Sequence, residues 1–225
     1  MKYISLIVLT SLFIQCKGNI LKLREDNNEY KNEYLAKFDS EFINHFPNEL
    51  GTSRYTLLSS ENTKRGFVGL LLYEYDMNID SLIGIEKGLK SKAVRKYDSS
   101  DNCLLVINRF DTNETYVYPK LIILPDSVEV NRPCFEGLLP IPKFFNYENE
   151  VSNPSQKALN NKQDYETMLP AGFNIYVLEA KSGNYFDKYD LIPNRQMPNG
   201  WKNGYSKGVA ISLNDKSIAY WSIAF

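Results

Sequence analysis

The chain has 225 residues, with 26 Lys and Arg against 27 Asp and Glu, for a net charge of −1. The two signs are mixed along the chain, so no basic field exists for nucleic acid. Apolar residues make up 43%, the range of a packed globular domain, and the length suits one large domain or two small ones.

The N-terminus opens on Met1-Lys2, a short positive start, followed by Tyr3 to Ile14, an uncharged run rich in Ile, Leu and Val. The run has the length of a signal-peptide core and falls short of the about 20 apolar residues that span a bilayer. It ends in Leu12-Phe13-Ile14-Gln15-Cys16, and polar Lys17-Gly18-Asn19 comes next. This pattern resembles the lipobox of bacterial lipoproteins, in which a peptidase cuts before a lipid-modified cysteine. The resemblance covers residues 1–16 and departs from the family at Gln15, where Gly, Ala or Ser is usual. It implies a signal peptide over residues 1–15, lipid on Cys16 as a membrane anchor, and residence in the cell envelope. A plain secretory signal with a chance cysteine, or an uncleaved anchor, are the alternatives. Residues 16–25 then form a tether, and residues 26–225 a single α+β domain. No second apolar stretch reaches membrane-spanning length; Leu121 to Leu124 is a strand-length run.

From Asp26 to His45, Tyr30, Tyr34, Phe38, Phe42 and Ile43 recur three or four residues apart, which predicts a helix with one apolar face. Pro47 and Gly51 end it. Arg54 to Ser59 and Gly66 to Tyr75 read as strands. Asp80-Ser81 is placed to cap a helix through Leu82, Ile85, Leu89 and Ala93, despite Gly84 and Gly88. Asn102 to Phe110 and Thr115 to Leu124 read as two strands of a hairpin around Asp111-Thr112-Asn113-Glu114. Pro125 to Asn153 is proline-punctuated and irregular, and Pro154 to Leu159 suits a short helix. Phe173 to Ala180 is a strand turned by Lys181-Ser182-Gly183-Asn184. A Pro/Gly-rich loop over Pro193 to Gly204 precedes a final hairpin, Gly208 to Leu213 and Ser217 to Phe225. Strands outnumber helices and short turns join them. The expected fold is α+β: a mainly antiparallel β-sheet with an N-terminal helix and one or two further helices.

Beyond Cys16 the chain has two cysteines, Cys103 and Cys134. Export would put both where disulfides persist. A bridge would close a loop of about 30 residues; two buried free thiols are the alternative. Two cysteines make no Cys₄ zinc site, and no Cys-x-x-Cys redox motif is present.

Motifs for catalysis fail on context. Gly204-Tyr205-Ser206-Lys207-Gly208 matches the nucleophile elbow of α/β-hydrolases, but no helix pattern and no His follow it. Those glycines are better read as turn geometry before the last hairpin. Ser100-Asp101-Asn102 matches one element of serine β-lactamases without its partners. His45 is the one histidine, which leaves little for imidazole chemistry or a transition metal. Asp111-Thr112-Asn113 starts like a calcium loop but lacks its Gly and terminal Glu. The alternation of Ala219, Trp221, Ile223 and Phe225 is similar to the terminal strand of outer-membrane barrels, though it equally suits a half-buried strand of a soluble sheet. No catalytic residue, metal ligand or cofactor is therefore assigned.

What remains is an aromatic and cationic loop, Arg195, Trp201, Lys202 and Tyr205, suited to stacking on a glycan or clamping an envelope protein. A packed hairpin crossover is the structural reading of the same residues. Phe173 to Phe225 also looks like the tails of uncharacterised cell-envelope lipoproteins, a resemblance that implies no activity. The sequence thus points to a lipid-anchored, non-enzymatic binding or protein-interaction module. A carboxylate-dependent envelope hydrolase and a structural lipoprotein of envelope assembly are the rivals.

Overall fold

The computed structural model describes residues 35, 39–51, 67–109, 130–144, 167–186 and 191–225, together with the backbone of 54–58. Cys16 and its lipobox, the tether, Tyr30, Tyr34, Phe38, the strand expected over Thr115 to Leu124 and the helix over Pro154 to Leu159 lie outside them. The chain forms two compact units, Met1–Leu50 and Gly51–Phe225.

In the first unit Leu35 is helical, and α1 (Ser40–Ile43) is a separate turn that buries Phe42. Asp39 stands before it in extended conformation, with φ −60° and ψ 147°. The expected helix to His45 is therefore interrupted at Asp39, because extended backbone cannot carry helical hydrogen bonds through that position.

The second unit is built on β1 (Arg54–Leu58), β2 (Val68–Glu74), β3 (Arg95–Asp98), β6 (Asn174–Ser182), β7 (Gly204–Ser212) and β8 (Ser217–Ala224). They form one antiparallel sheet in the order β1-β2-β8-β7-β6-β3. The fold is α+β with a dominant antiparallel sheet. The chain reaches β3 from β2 through α2 (Ile79–Lys92), which passes over one face and packs on β6 and β7. Alternating antiparallel pairs across the sheet leave β2 and β3 pointing the same way. The helix is thus a wide crossover over β8, β7 and β6.

Asn78 caps α2. Its side chain accepts hydrogen bonds from the backbone N–H of Asp80 and Ser81 at 2.9 and 3.1 Å. The cap expected at Asp80-Ser81 is one turn-start too late, because both residues supply the N–H groups that need capping. Leu82, Glu86 and Leu89 form the buried face of α2. Glu86 accepts from Asn174 at 3.0 Å and from Tyr176 at 2.8 Å, and pairs with Lys90 at 3.0 Å. Burial pushes the Glu86 carboxyl up, but these bonds and the charges of Lys90 and Lys96 outweigh it and hold the carboxyl below its ordinary value.

The opposite face carries the larger core. Register places Leu71, Trp221, Gly208 and Val177 in one row, and Tyr73, Ala219, Ala210, Ile175 and Tyr97 in the next. Gly208 in the first row and Ala219 and Ala210 in the second are small, so the sheet is recessed there. Trp221, fully buried, lies in that recess. A Cβ at Gly208 would collide with the six-membered ring of Trp221 and with the Tyr176 carbonyl oxygen. Trp221 Nε1 donates to Ser206 Oγ at 3.3 Å, Ser206 Oγ donates to the Pro140 carbonyl at 2.6 Å, and Phe144 stands edge-on to the indole. Gly204 and Gly208 are therefore inside β7 and not in the turn expected for them. Gly204 opens the strand and exchanges two backbone bonds with Phe225. Ser206 is buried in mid-strand, which excludes a nucleophile elbow.

The covering layer over this face comes from segments read as a long strand and an irregular stretch. Among the described residues of Asn102 to Phe110, the strand is Val106–Ile107 (β4), and it pairs in parallel with Ile141–Pro142 (β5). The prolines that made 125–153 look irregular limit this second sheet to two residues per strand. Cys103 and Cys134 are joined by a disulfide with Cα atoms 6.3 Å apart, binding the two parts of the cover together. Tyr97 Oη accepts from Leu139 N at 2.7 Å and Arg95 donates to the Gly137 carbonyl, which fastens the cover to β3.

Two outcomes test this account. Gly208→Ala costs about 3 kcal/mol in urea denaturation, because neither the indole nor the Tyr176 backbone has room to move; an unchanged midpoint would show that Trp221 does not occupy the recess. Replacing Cys103 and Cys134 together by Ser costs about 3–4 kcal/mol by closing no loop across their 31-residue separation, read from the same denaturation curves.

Candidate functional site

The strongest cluster of polar and aromatic groups sits where β6 and β7 leave the covered part of the sheet. Its origin is a β-bulge. Val177 pairs with Gly208, but Glu179 pairs with Lys207, so Leu178 is an extra residue. Without it Glu179 would face the Trp221 core. With it, Glu179 and Lys181 turn onto the α2 face beside Lys207 and Tyr205, and Ala180 takes the core side.

Glu179 is the hub. Its Oε1 accepts from the Tyr205 hydroxyl at 2.7 Å and pairs with Lys181 at 2.6 Å, and its Oε2 pairs with Lys207 at 3.0 Å. The bond from Lys181, then those from Tyr205 and Lys207, overcome the opposing effect of burial and bring the carboxyl down from 4.5 to about 2. Lys181 is correspondingly raised by Glu179. Burial raises the Tyr205 phenol, and its bond to the Glu179 carboxylate raises it further.

An aromatic group completes the cluster. Lys181 Nζ lies 5.8 Å from the centre of the Tyr205 ring. Tyr185 and Phe186 meet the same ring edge-on at 5.1 and 6.2 Å. Gly183, at φ +125°, lets the chain turn here, and the Tyr185 ring rests against it. Tyr185 remains 53% exposed. The arrangement offers a carboxylate with two lysines on two paired strands and an aromatic surface just past the end of β6, suited to a partner carrying both a polar and an apolar part.

The four residues expected to form one binding loop are divided by the structure. Tyr205 belongs to the cluster. Trp201 packs against the Trp221 core, the crossover alternative. Lys202 Nζ donates to the Arg195 carbonyl at 3.5 Å. Arg195 is exposed on a loop pinned beneath by buried Asn194, which donates to Asn108 at 2.9 Å and accepts from Gln196 N at 3.0 Å. Glu179, Lys181, Lys207, Tyr185 and Phe186 were missed by sequence reasoning. The one signal was the i, i+2 pair of charges, Glu179 and Lys181, at the end of an otherwise apolar strand.

Among the described residues no three His, Cys, Asp or Glu side chains converge into a metal-holding group. No described helix is long and apolar enough to cross a membrane. No family model, no curated protein and no solved structure matches this chain.

The ion pairs give a pH signature. A carboxyl lowered in the folded state contributes stability that is fully present above its unfolded value and lost as pH falls through the folded one. For Glu179 the loss runs from 4.5 down to about 2. Carboxyl NMR titration is expected to give a Glu179 midpoint near that lower limit, moved upward by Lys207→Ala. A wild-type midpoint at the ordinary glutamate value would remove the hub from the site.

Proposed function

We propose that this chain is a lipoprotein of the cell envelope, cut before Cys16 and anchored by lipid on that residue. Its domain is a non-enzymatic binding module. The observation that carries the binding role is the bulged end of β6 and β7, where exposed Tyr185 lies beside the Glu179, Lys181 and Lys207 charges on strands fixed by the Trp221 core. Tyrosine is enriched at protein interfaces and among the residues that carry most of their binding energy. The partner is accordingly an envelope protein, and a glycan stacking on Tyr185 is the second reading.

The disulfide supports export, since such bonds persist in oxidising compartments and are rare in the cytosol. A carboxylate-dependent hydrolase is less well supported. It needs an acid with a raised pKa, whereas Glu86 and Glu179 are both lowered by lysine neighbours.

Membrane fractionation with intact-mass analysis tests the anchor. The wild type is expected in the membrane fraction with a diacylglyceryl mass on a chain starting at Cys16, and Cys16→Ala in the soluble export fraction. A full-length unlipidated wild-type chain sinks the anchor. The patch is tested with Tyr185→Ala, whose side chain is exposed enough to leave the core intact. It is expected to lower capture of a stoichiometric envelope protein by about tenfold. Loss of glycan-array binding instead assigns the glycan reading, and unchanged binding to both removes the patch.

A further inference from the structure

Among the described residues, the same end of β6 has no strand along one of its backbone edges. The strand is nine residues long, yet β3 pairs only with Asn174 to Val177, and Val94 N donates to the Val177 carbonyl where β3 begins. From Leu178 to Ser182, β7 lies on one side, and among the described residues no strand lies on the other. Val94, 61% exposed, stands where the pairing with β3 ends along this edge.

We propose that this edge pairs with the same edge of a second copy of the chain, forming a two-fold dimer through antiparallel β6 strands. Charge complementarity selects this occupant. In an antiparallel pair centred on Ala180, Leu178 stands opposite Ser182 of the second copy, and Glu179 opposite its Lys181. A two-fold axis normal to the sheet keeps faces matched, so both charges lie on the α2 side and both Ala180 side chains on the core side. Each cross-strand row then alternates in sign: Lys207, Glu179 and Lys181 of the second copy. Opposite charges facing each other favour this register, and like charges oppose a shifted one. The pairing has natural limits. Gly183 turns away, and the strand edge beyond Val177 is taken by β3. The bulge and Lys181 also guard the edge against strands lacking an acid at the matching position. The interface is small, so the dimer is weak and concentration-dependent.

The inference needs neither lipid on Cys16 nor an outside partner, so its failure is separable from theirs. The experiment uses the full chain. Ala180→Cys places two thiols opposite each other across the axis and is expected to give a disulfide-linked dimer on oxidation; Lys87→Cys, exposed on α2, is the control. In sedimentation, Lys181→Glu and Glu179→Lys each set like charges opposite one another twice, and each is expected to weaken self-association by roughly tenfold. Mixing the two variants restores both opposite pairs and is expected to restore the dimer. The proposal is overturned by a wild type that stays monomeric at high concentration, by Ala180→Cys linking no better than the control, or by a dimer that Lys181→Glu does not affect. Linkage of Ala180→Cys to a foreign strand with no self-adduct also overturns it and assigns the edge to another protein.

Discussion

The packing of Trp221 into the space left by Gly208 governs the architecture. An indole at the centre of a sheet needs a hole in the neighbouring strand, and a glycine in register is the way to make one. Ala210 and Ala219 extend the recess along the next row. The indole nitrogen then needs a partner, since a buried N–H left unpaired costs about 1–3 kcal/mol. Ser206 supplies it and passes the bond on to Pro140. A single large side chain thus sets the shape of the sheet and attaches the covering layer to it. The disulfide closes that layer over the recess. With one face sealed this way, α2 is left to cover the other, and the wide crossover from β2 to β3 follows.

What was legible in the chain follows from this division. β2, β6 and β8 are rich in apolar and β-branched residues, and their strands could be read directly. β2 and β8 are buried along their whole length, so they read as apolar runs and not as alternating ones. β3, Arg95–Asp98, has three charged residues in four and carries no strand signal. It becomes a strand because Tyr97 fits the row of Ile175 and because β6 offers a free edge. β4 and β5 owe their pairing to the cover and not to local propensity, so the parallel partner of β4 had no local signal. Gly204 and Gly208 carried a turn signal for the same reason: a glycine's use as space for a distant indole has no local signature.

The candidate site was hidden by a different mechanism. Strand alternation from Ile175 predicts Glu179 on the core face, an unfavourable place for a carboxylate. The bulge resolves that conflict by inserting Leu178, and it gathers charges from two strands onto one face. A residue-by-residue reading cannot see this, because the bulge depends on which strand lies alongside. The loop that did look functional, Arg195 to Tyr205, divides into parts with different duties. Trp201 closes the edge of the core, Lys202 braces the backbone, and only Tyr205 reaches the cluster.

Position along the sheet connects the core to the cluster. At the Trp221 rows both faces are covered and side chains have no freedom to meet a partner. Beyond the bulge the cover ends on the α2 side, while β7 is still paired with β8 and β6 through the same ladder. Tyr205 and Lys207 therefore sit on a strand whose next residue, Gly208, is fixed by the indole. Groups held on such a strand lose little conformational entropy on binding, because the fold has already ordered them. The charges of the cluster are thus fixed at the end of a rigid sheet, and the exposed Tyr185 is placed against them just past the end of β6.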